Sequence, residues 1–227
     1  MIRGVLFDFN GTLFYDSDKH ILAFQRFFEK KGFPYLETDE IVKRIFGRTN
    51  RDVFKMVCGA DTTPEAIDAL GYEKEAMYRD ICLESPETFK LADGVEEMFD
   101  LLKERGIPFN IATGSGIENV EFYFEEFKLD QWLSLETVVY NNNTLRGKPE
   151  PDFYIEAAKR IGLEPSECIV FEDALSGFIA ARSAGAGAIY GLISPDGSPL
   201  LTGDVLIDGE IRDFTSYKEI FKKHGLI

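Results

Sequence analysis

Cationic side chains are scarce in this chain. Its 227 residues carry 25 Lys and Arg against 40 Asp and Glu, a formal net charge of −15 at pH 7. A field of that sign repels nucleic acid and anionic membranes, so neither is expected as a partner. An anionic substrate would need a local positive site, a metal or a lysine. Cysteine is also rare: Cys58, Cys82 and Cys168 are an odd number with no Cys-x-x-Cys pair. That argues against a disulfide frame or a zinc knuckle and fits a reducing, cytoplasmic setting. Long apolar runs are missing. The apolar start is cut off at Asp8 and holds one basic residue, Arg3, which suits neither a signal peptide nor a membrane span. No repeat, low-complexity tract or Walker A sequence occurs. "GAGAIYG" (185–191) runs from helix into strand, the wrong order for a dinucleotide fingerprint, and "TGSGIEN" (113–119) lacks the third glycine.

Apolar residues make up 44% of the chain, enough for a real core. Residues 2–7, "IRGVLF", read as a buried parallel strand. Helical patterning then runs from Ser17 to Lys31, from a Thr38 cap to Phe46, from an Asn50 cap to Val57, and from Pro64 to Leu83. These helices form a block over residues 15–88 without a strand. From residue 95 the rhythm alternates. Helices are expected at 95–105, 116–127, 151–161, 174–184 and 215–223, and strands at 107–113, 135–140, 168–173, 186–192 and 204–207. Alternation of this kind predicts an α/β fold, a doubly wound parallel-sheet (Rossmann-like) core. The core would comprise residues 1–14 and 89–227, with 15–88 inserted as an all-helical domain.

In such a sheet, ligands bind beyond the carboxyl ends of the strands. The first strand ends in Asp8, the 107–113 strand in Thr113 before Gly114 and Ser115, and the 168–173 strand in Glu172 and Asp173. Lys148 precedes the helix at 151. A Thr or Asp at such a junction is by itself most simply a helix cap, and a lone Lys before Pro a surface residue. Their convergence on one sheet edge suits phosphoryl chemistry. Carboxylates can hold Mg²⁺, a hydroxyl and a lysine can hold phosphoryl oxygens, and a free carboxylate can attack phosphorus.

The chain resembles the haloacid dehalogenase-like (HAD) superfamily, in its β-phosphoglucomutase-like branch of phosphatases and mutases. Four signatures carry the resemblance, in order: "DFNGT" (8–12), "ATGS" (112–115), "GKPEPD" (147–152) and "FEDALSG" (171–177). A helical cap domain between the first and second fits the same branch. The resemblance implies Asp8 as nucleophile and Thr113 and Lys148 as phosphoryl stabilisers. It implies a Mg²⁺ site of Asp8, the backbone carbonyl of Asn10, Asp173 and Glu172. Gly11, Thr12, Gly114 and Ser115 are expected around the substrate phosphate. The substrate would be a small phosphorylated metabolite, most simply a sugar phosphate, and the protein a monomer.

The chain departs from the family at Asn10, where these enzymes carry an Asp that moves protons to and from the leaving oxygen. An amide cannot exchange a proton near neutral pH, and general acid–base catalysis is worth ~10²–10⁴ in rate. Four readings stand open. The Asn is an introduced change; it is native to a slow phosphatase; Asp16, Asp18 or His20 substitutes for it; or the protein binds phosphorylated ligands without turnover. Asn10–Gly11 is also the sequence type most prone to deamidation, which would restore Asp.

In the helical block, "FGRTNRD" (46–52) is expected to read the substrate. Gly47 would let the backbone approach it, Arg48 and Arg51 would pair with a second anionic group, and Thr49 lies between them. His20 is a further candidate. Each arginine taken alone is more simply a surface residue in a helix-capping turn. A mutase would place an arginine at Asn50, and Arg51 comes one step late, which weakens that alternative. A dehalogenase would also use Asp8, but the Glu172–Asp173 pair argues against it.

Overall fold

A computed structural model describes residues 1–45, 48–59, 61–196 and 200–227. In chain order its elements are β1 (Gly4–Phe7), α1 (Ser17–Lys31), α2 (Thr38–Arg44), α3 (Asn50–Cys58), α4 (Pro64–Glu84), α5 (Val95–Glu104), β2 (Phe109–Ile111), α6 (Ile117–Phe127), α7 (Asp152–Arg160), β3 (Cys168–Glu172), α8 (Leu175–Ala184), β4 (Ala188–Leu192), β5 (Gly209–Ile211) and α9 (Tyr217–Lys223). Two compact units emerge. One comprises Met1–Tyr15 with Lys90–Ile227, the other Asp16–Phe89.

The first unit is built on a five-stranded sheet of order β2-β1-β3-β4-β5, parallel throughout. Side chains of a strand alternate between faces, and here both faces are covered. Phe7 stacks on Phe171 at 5.4 Å and meets Phe99 of α5 and Phe214 edge-on. Leu6, Cys168 and Val170 point the other way, into a cluster with Tyr154 and Ala157 of α7 and Phe178 of α8. A strand buried on both sides needs a continuous apolar run, and "GVLF" and "CIVF" supply it. Strand order reverses at β1, and Asp8 stands just past its carboxyl end, the position at which ligands bind in sheets of this kind.

Two expected strands take other forms. Residues 135–140 contribute a single bridge, Val139 to Ala112. Val139 alone bonds there as in a ladder, to Ile111 O and Thr113 N, while the two preceding carbonyls go to side chains: Thr137 O accepts from Asn110 Nδ2 at 2.8 Å and Val138 O from the Arg160 guanidinium at 2.9 Å. Residues 204–207 dock Val205 and Ile207 onto the apolar cluster by side-chain contact. The chain joins the sheet only at Gly209. There Asp208 exchanges hydrogen bonds with Ile189, and a Cβ on Gly209 would lie 2.8 Å from the Tyr190 ring.

The second unit is helical. Phe24, Phe27 and Phe28 of α1 gather with Ile41, Val53, Phe54 and Ile67 in one apolar cluster. Two caps lie one residue before the expected ones. Glu37 forms a capping box with Glu40 at the start of α2, and Thr49 Oγ1 accepts from Asp52 N at the start of α3. Asn50 is spent elsewhere, donating to Glu75 Oε1 at 2.6 Å.

Candidate active site

Asp8 follows β1, Lys148 precedes α7, and Glu172 ends β3. The Lys148 ammonium donates to Asp8 Oδ1 at 2.5 Å and to Glu172 Oε1 at 2.6 Å, and lies 4.8 Å from the centre of the Tyr154 ring. Burial works against its charge, yet Asp8 and Glu172 outweigh it and hold its pKa above the ordinary lysine value. Both oxygens of Glu172 are committed. Oε1 also accepts from Tyr154 OH at 3.1 Å, and Oε2 accepts from the backbone N–H groups of Asp173 and Ala174 at 2.7 and 2.8 Å. The carboxylate thus ties β3 to the start of α8 and to Lys148. Gly177 makes this fit possible, since a Cβ there would lie 1.6 Å from Glu172 Oε1.

Asp8, Glu172 and Asp173 each bring a carboxylate oxygen within 4.8 Å of the others. Burial first, then the charges of Glu172 and Asp8, push the Asp173 pKa well above the ordinary carboxylate range, against Lys148 and Thr12. Crowded hard oxygens with surplus negative charge fit a divalent cation such as Mg²⁺. Thr12 Oγ1 donates to Asp173 Oδ1 at 3.2 Å. Gly11 has φ +78°, and a Cβ on it would come 2.1 Å from Asp173 Oδ2, so this turn requires glycine on both counts.

Asn10 lies in the same unit, two residues after Asp8 and beside α6. Its Oδ1 accepts from Ser115 Oγ at 2.7 Å and Thr113 Oγ1 at 3.3 Å, and its Nδ2 donates to Tyr123 OH at 2.8 Å. Thr113 Oγ1 in turn accepts from Ser115 N at 3.1 Å. The Gly11 N–H, which would have to attack Asn10 Cγ in deamidation, donates to Phe14 O at 2.8 Å. With both ends of the carboxamide held as well, the geometry opposes that reaction.

A family model described as haloacid dehalogenase-like hydrolase matches residues 5–190. The chain belongs to that family. It is 27% identical over 206 residues to the phosphorylated carbohydrates phosphatase of Thermotoga maritima, spanning 88% of this chain and 90% of that protein. A crystal structure of a HAD hydrolase, family IA, variant 3, from Entamoeba histolytica superposes with TM-score 0.87 at 34% identity, covering 99% of this chain and 98% of that one. The fold is shared also with an Asp-to-Asn variant of CbbY from Rhodobacter sphaeroides in complex with xylulose-(1,5)bisphosphate, at TM-score 0.79 and 22% identity, covering 94% and 95% of the two chains.

In this HAD-like hydrolase, one unit therefore gathers Asp8, Asn10, Gly11, Thr12, Thr113, Ser115, Lys148, Glu172 and Asp173, while Gly114 is exposed with open space around it. The remaining expected residues belong to the second unit. His20 stacks on Tyr78 at 4.0 Å, with Nε2 3.3 Å from Asp16 Oδ2 and Nδ1 3.2 Å from Lys74 Nζ. Asp16, at the start of α1, accepts from Tyr78 OH at 2.5 Å instead of capping the helix. Asp18 pairs with Lys19 at 3.2 Å. Arg51 makes a bidentate pair with Asp68, at 3.0 and 2.6 Å. Arg48 Nε donates to the Arg44 carbonyl at 2.9 Å, a neutral partner that offsets none of its charge. Thr49 is the cap of α3. Gly47 lies outside the described residues.

Sequence reasoning missed Tyr123, Tyr154 and Gly177. The two tyrosines fall on core-facing positions of α6 and α7 and read as apolar packing; nothing in their spacing marks the hydroxyls. Gly177 stood inside the last signature, and a glycine in the first turn of a helix is the signal that could have singled it out.

Proposed function

We propose that this hydrolase is a phosphatase of small phosphorylated metabolites, a sugar phosphate first among them, acting through an aspartyl phosphate on Asp8. The observation that carries the reading is the convergence of Asp8, Lys148, Glu172 and Asp173 past the carboxyl end of β1. An Asp8 carboxylate oxygen attacks phosphorus, and the bond from phosphorus to the sugar oxygen breaks with its electron pair going to that oxygen. Lys148 and the Thr113 hydroxyl hold phosphoryl oxygens as charge redistributes. Water then attacks phosphorus, the bond to Asp8 breaks, the carboxylate is regenerated and one proton is released.

Asp8, Asp173 and the Asn10 backbone carbonyl would hold Mg²⁺, with Glu172 beside them. When bound, the ion neutralises charge on the phosphoryl oxygens. Glu172 itself is already saturated by Lys148, Tyr154 and two backbone amides, so its larger task is to anchor the lysine. Position 10 keeps its carbonyl but offers no titrating proton, so the leaving oxygen takes its proton from water and turnover is slow. The complex of the Asp-to-Asn CbbY variant with a sugar bisphosphate supports ligand binding by a fold of this kind with one Asp replaced by Asn. Ser115, Gly114, Gly11 and Thr12 frame the phosphate. Of the arginines, Arg48 suits a second anionic group better than Arg51, which Asp68 already neutralises.

The test is phosphate release from a panel of sugar phosphates with Mg²⁺, with Asp8→Asn as control. Release that requires both Asp8 and the metal supports the reading. Isomer formation without net phosphate release would favour a mutase, and saturable binding without turnover a phospho-ligand binder.

A further inference from the structure

The Asn10 carboxamide has two chemically different ends, and each has a different partner. Oδ1 accepts two hydroxyl protons, from Ser115 and Thr113, whereas Nδ2 gives a proton to Tyr123. Tyr123 is 1% exposed. Its ring stacks on Phe9 at 4.4 Å and meets Phe14 edge-on at 6.2 Å, so the residues flanking the Asn10 turn grip the phenol. A ring held on two sides keeps its hydroxyl in one place.

We propose that Tyr123 is a positioning residue for Asn10. Its phenol oxygen takes an amide proton, fixes which end of the carboxamide faces Thr113 and Ser115, and matches the site to an amide. A carboxylate has no proton to give. With Asp at this position, Tyr123 must turn its own O–H inward to keep a bond. Without the phenol, Nδ2 loses the bond that distinguishes the two ends, so the carboxamide turns more readily to present N–H to Thr113, which redirects the Thr113 hydroxyl. The kinetic consequence rests on the phosphatase reading; the positioning itself does not.

The experiment therefore has two readouts on the whole 227-residue chain. The first is the side-chain amide pair of Asn10 in a nitrogen-15 correlation spectrum, assigned by its absence from Asn10→Asp. In Tyr123→Phe one proton of the pair moves upfield and exchanges faster with water; an unchanged pair overturns the proposal. The second is kinetic. Tyr123→Phe lowers kcat about three- to tenfold, the scale of one neutral hydrogen bond, with KM held within about twofold. In the Asn10→Asp background the factor differs, because the partner at position 10 has changed. An equal factor in both backgrounds, or a change in KM alone, overturns the positioning role in the reaction. A shifted amide pair with no phosphate release from any variant upholds the positioning and overturns the phosphatase reading.

Discussion

Lys148 holds Asp8 through a 2.5 Å hydrogen bond while its other anionic partner, Glu172, is itself pinned by two backbone amides and the Tyr154 hydroxyl. The proposed nucleophile is thus oriented by a lysine that cannot drift. Lys148→Met should lower phosphate release by roughly 10²–10³, the scale of losing one preorganised donor. It should also destabilise the fold by about 3 kcal/mol, because it leaves buried carboxylates uncompensated. Steady-state rates and thermal melts check the two effects. A variant with unchanged stability would show that the carboxylates are solvated well enough without the lysine.

Gly177→Ala places a methyl group where Glu172 Oε1 now lies, 1.6 Å from the oxygen. The carboxylate must move, which loosens Lys148 and the start of α8 together. The expected cost is about 1–3 kcal/mol, as for other overpacked sites, with activity falling in parallel. Gly114→Ala is the control, since nothing lies within 4 Å of a Cβ there. Equal melting of the two variants contradicts this account of Gly177.

Glu75 connects acidity to the stability of the helical unit. Burial opposes its charge, but Lys74, at 2.6 Å, with His20 and the Asn50 amide, lowers its pKa from 4.5 to about 2. A depressed carboxylate pKa stabilises the fold above its unfolded value, and that contribution is lost as pH falls from 4.5 toward 2. The contribution is on the order of 3 kcal/mol. Glu75→Gln should therefore melt lower than the unaltered protein at about pH 7, with the gap roughly halved at about pH 3 and closing only as pH falls to about 2 and below. A gap that does not depend on pH would assign the loss to packing instead of charge.

Asn10 should resist deamidation despite its glycine neighbour, because the Gly11 N–H is bonded to Phe14 O and the carboxamide is held at both ends. Peptide mapping of aged protein should find Asn10 intact, whereas the same reaction in the unfolded chain proceeds. Conversion at equal rates in both states contradicts the geometry.

The strands that carry the site were legible because doubly buried parallel strands have to be apolar throughout, and a carboxylate or hydroxyl at their ends stands out against that run. Asp8, Thr113 and Glu172 were found this way. Lys148 was found only by its order among them, since a lysine before a proline looks like any loop. The strand expected at 135–140 failed for a different reason: "LETVVY" has the composition of a strand, but Asn110 and Arg160 claim the Thr137 and Val138 carbonyls from elsewhere in the chain, which leaves Val139 alone to bridge. Tyr123 and Tyr154 were hidden because a tyrosine on a buried helix face counts as apolar until its hydroxyl is placed beside Asn10 or Glu172. The cap at Thr49 was missed by one residue because Asn50, an equally good capping residue, is drawn off to Glu75.

The most direct measurement compares phosphate release from the same sugar phosphates, with Mg²⁺, by the protein and by Asn10→Asp in parallel. The account predicts that Asn10→Asp is faster by ~10²–10⁴, the worth of a general acid–base group, with KM little changed. Equal rates would contradict it and would mean that another group, with Asp16, Asp18 and His20 as the next residues to replace, carries the proton.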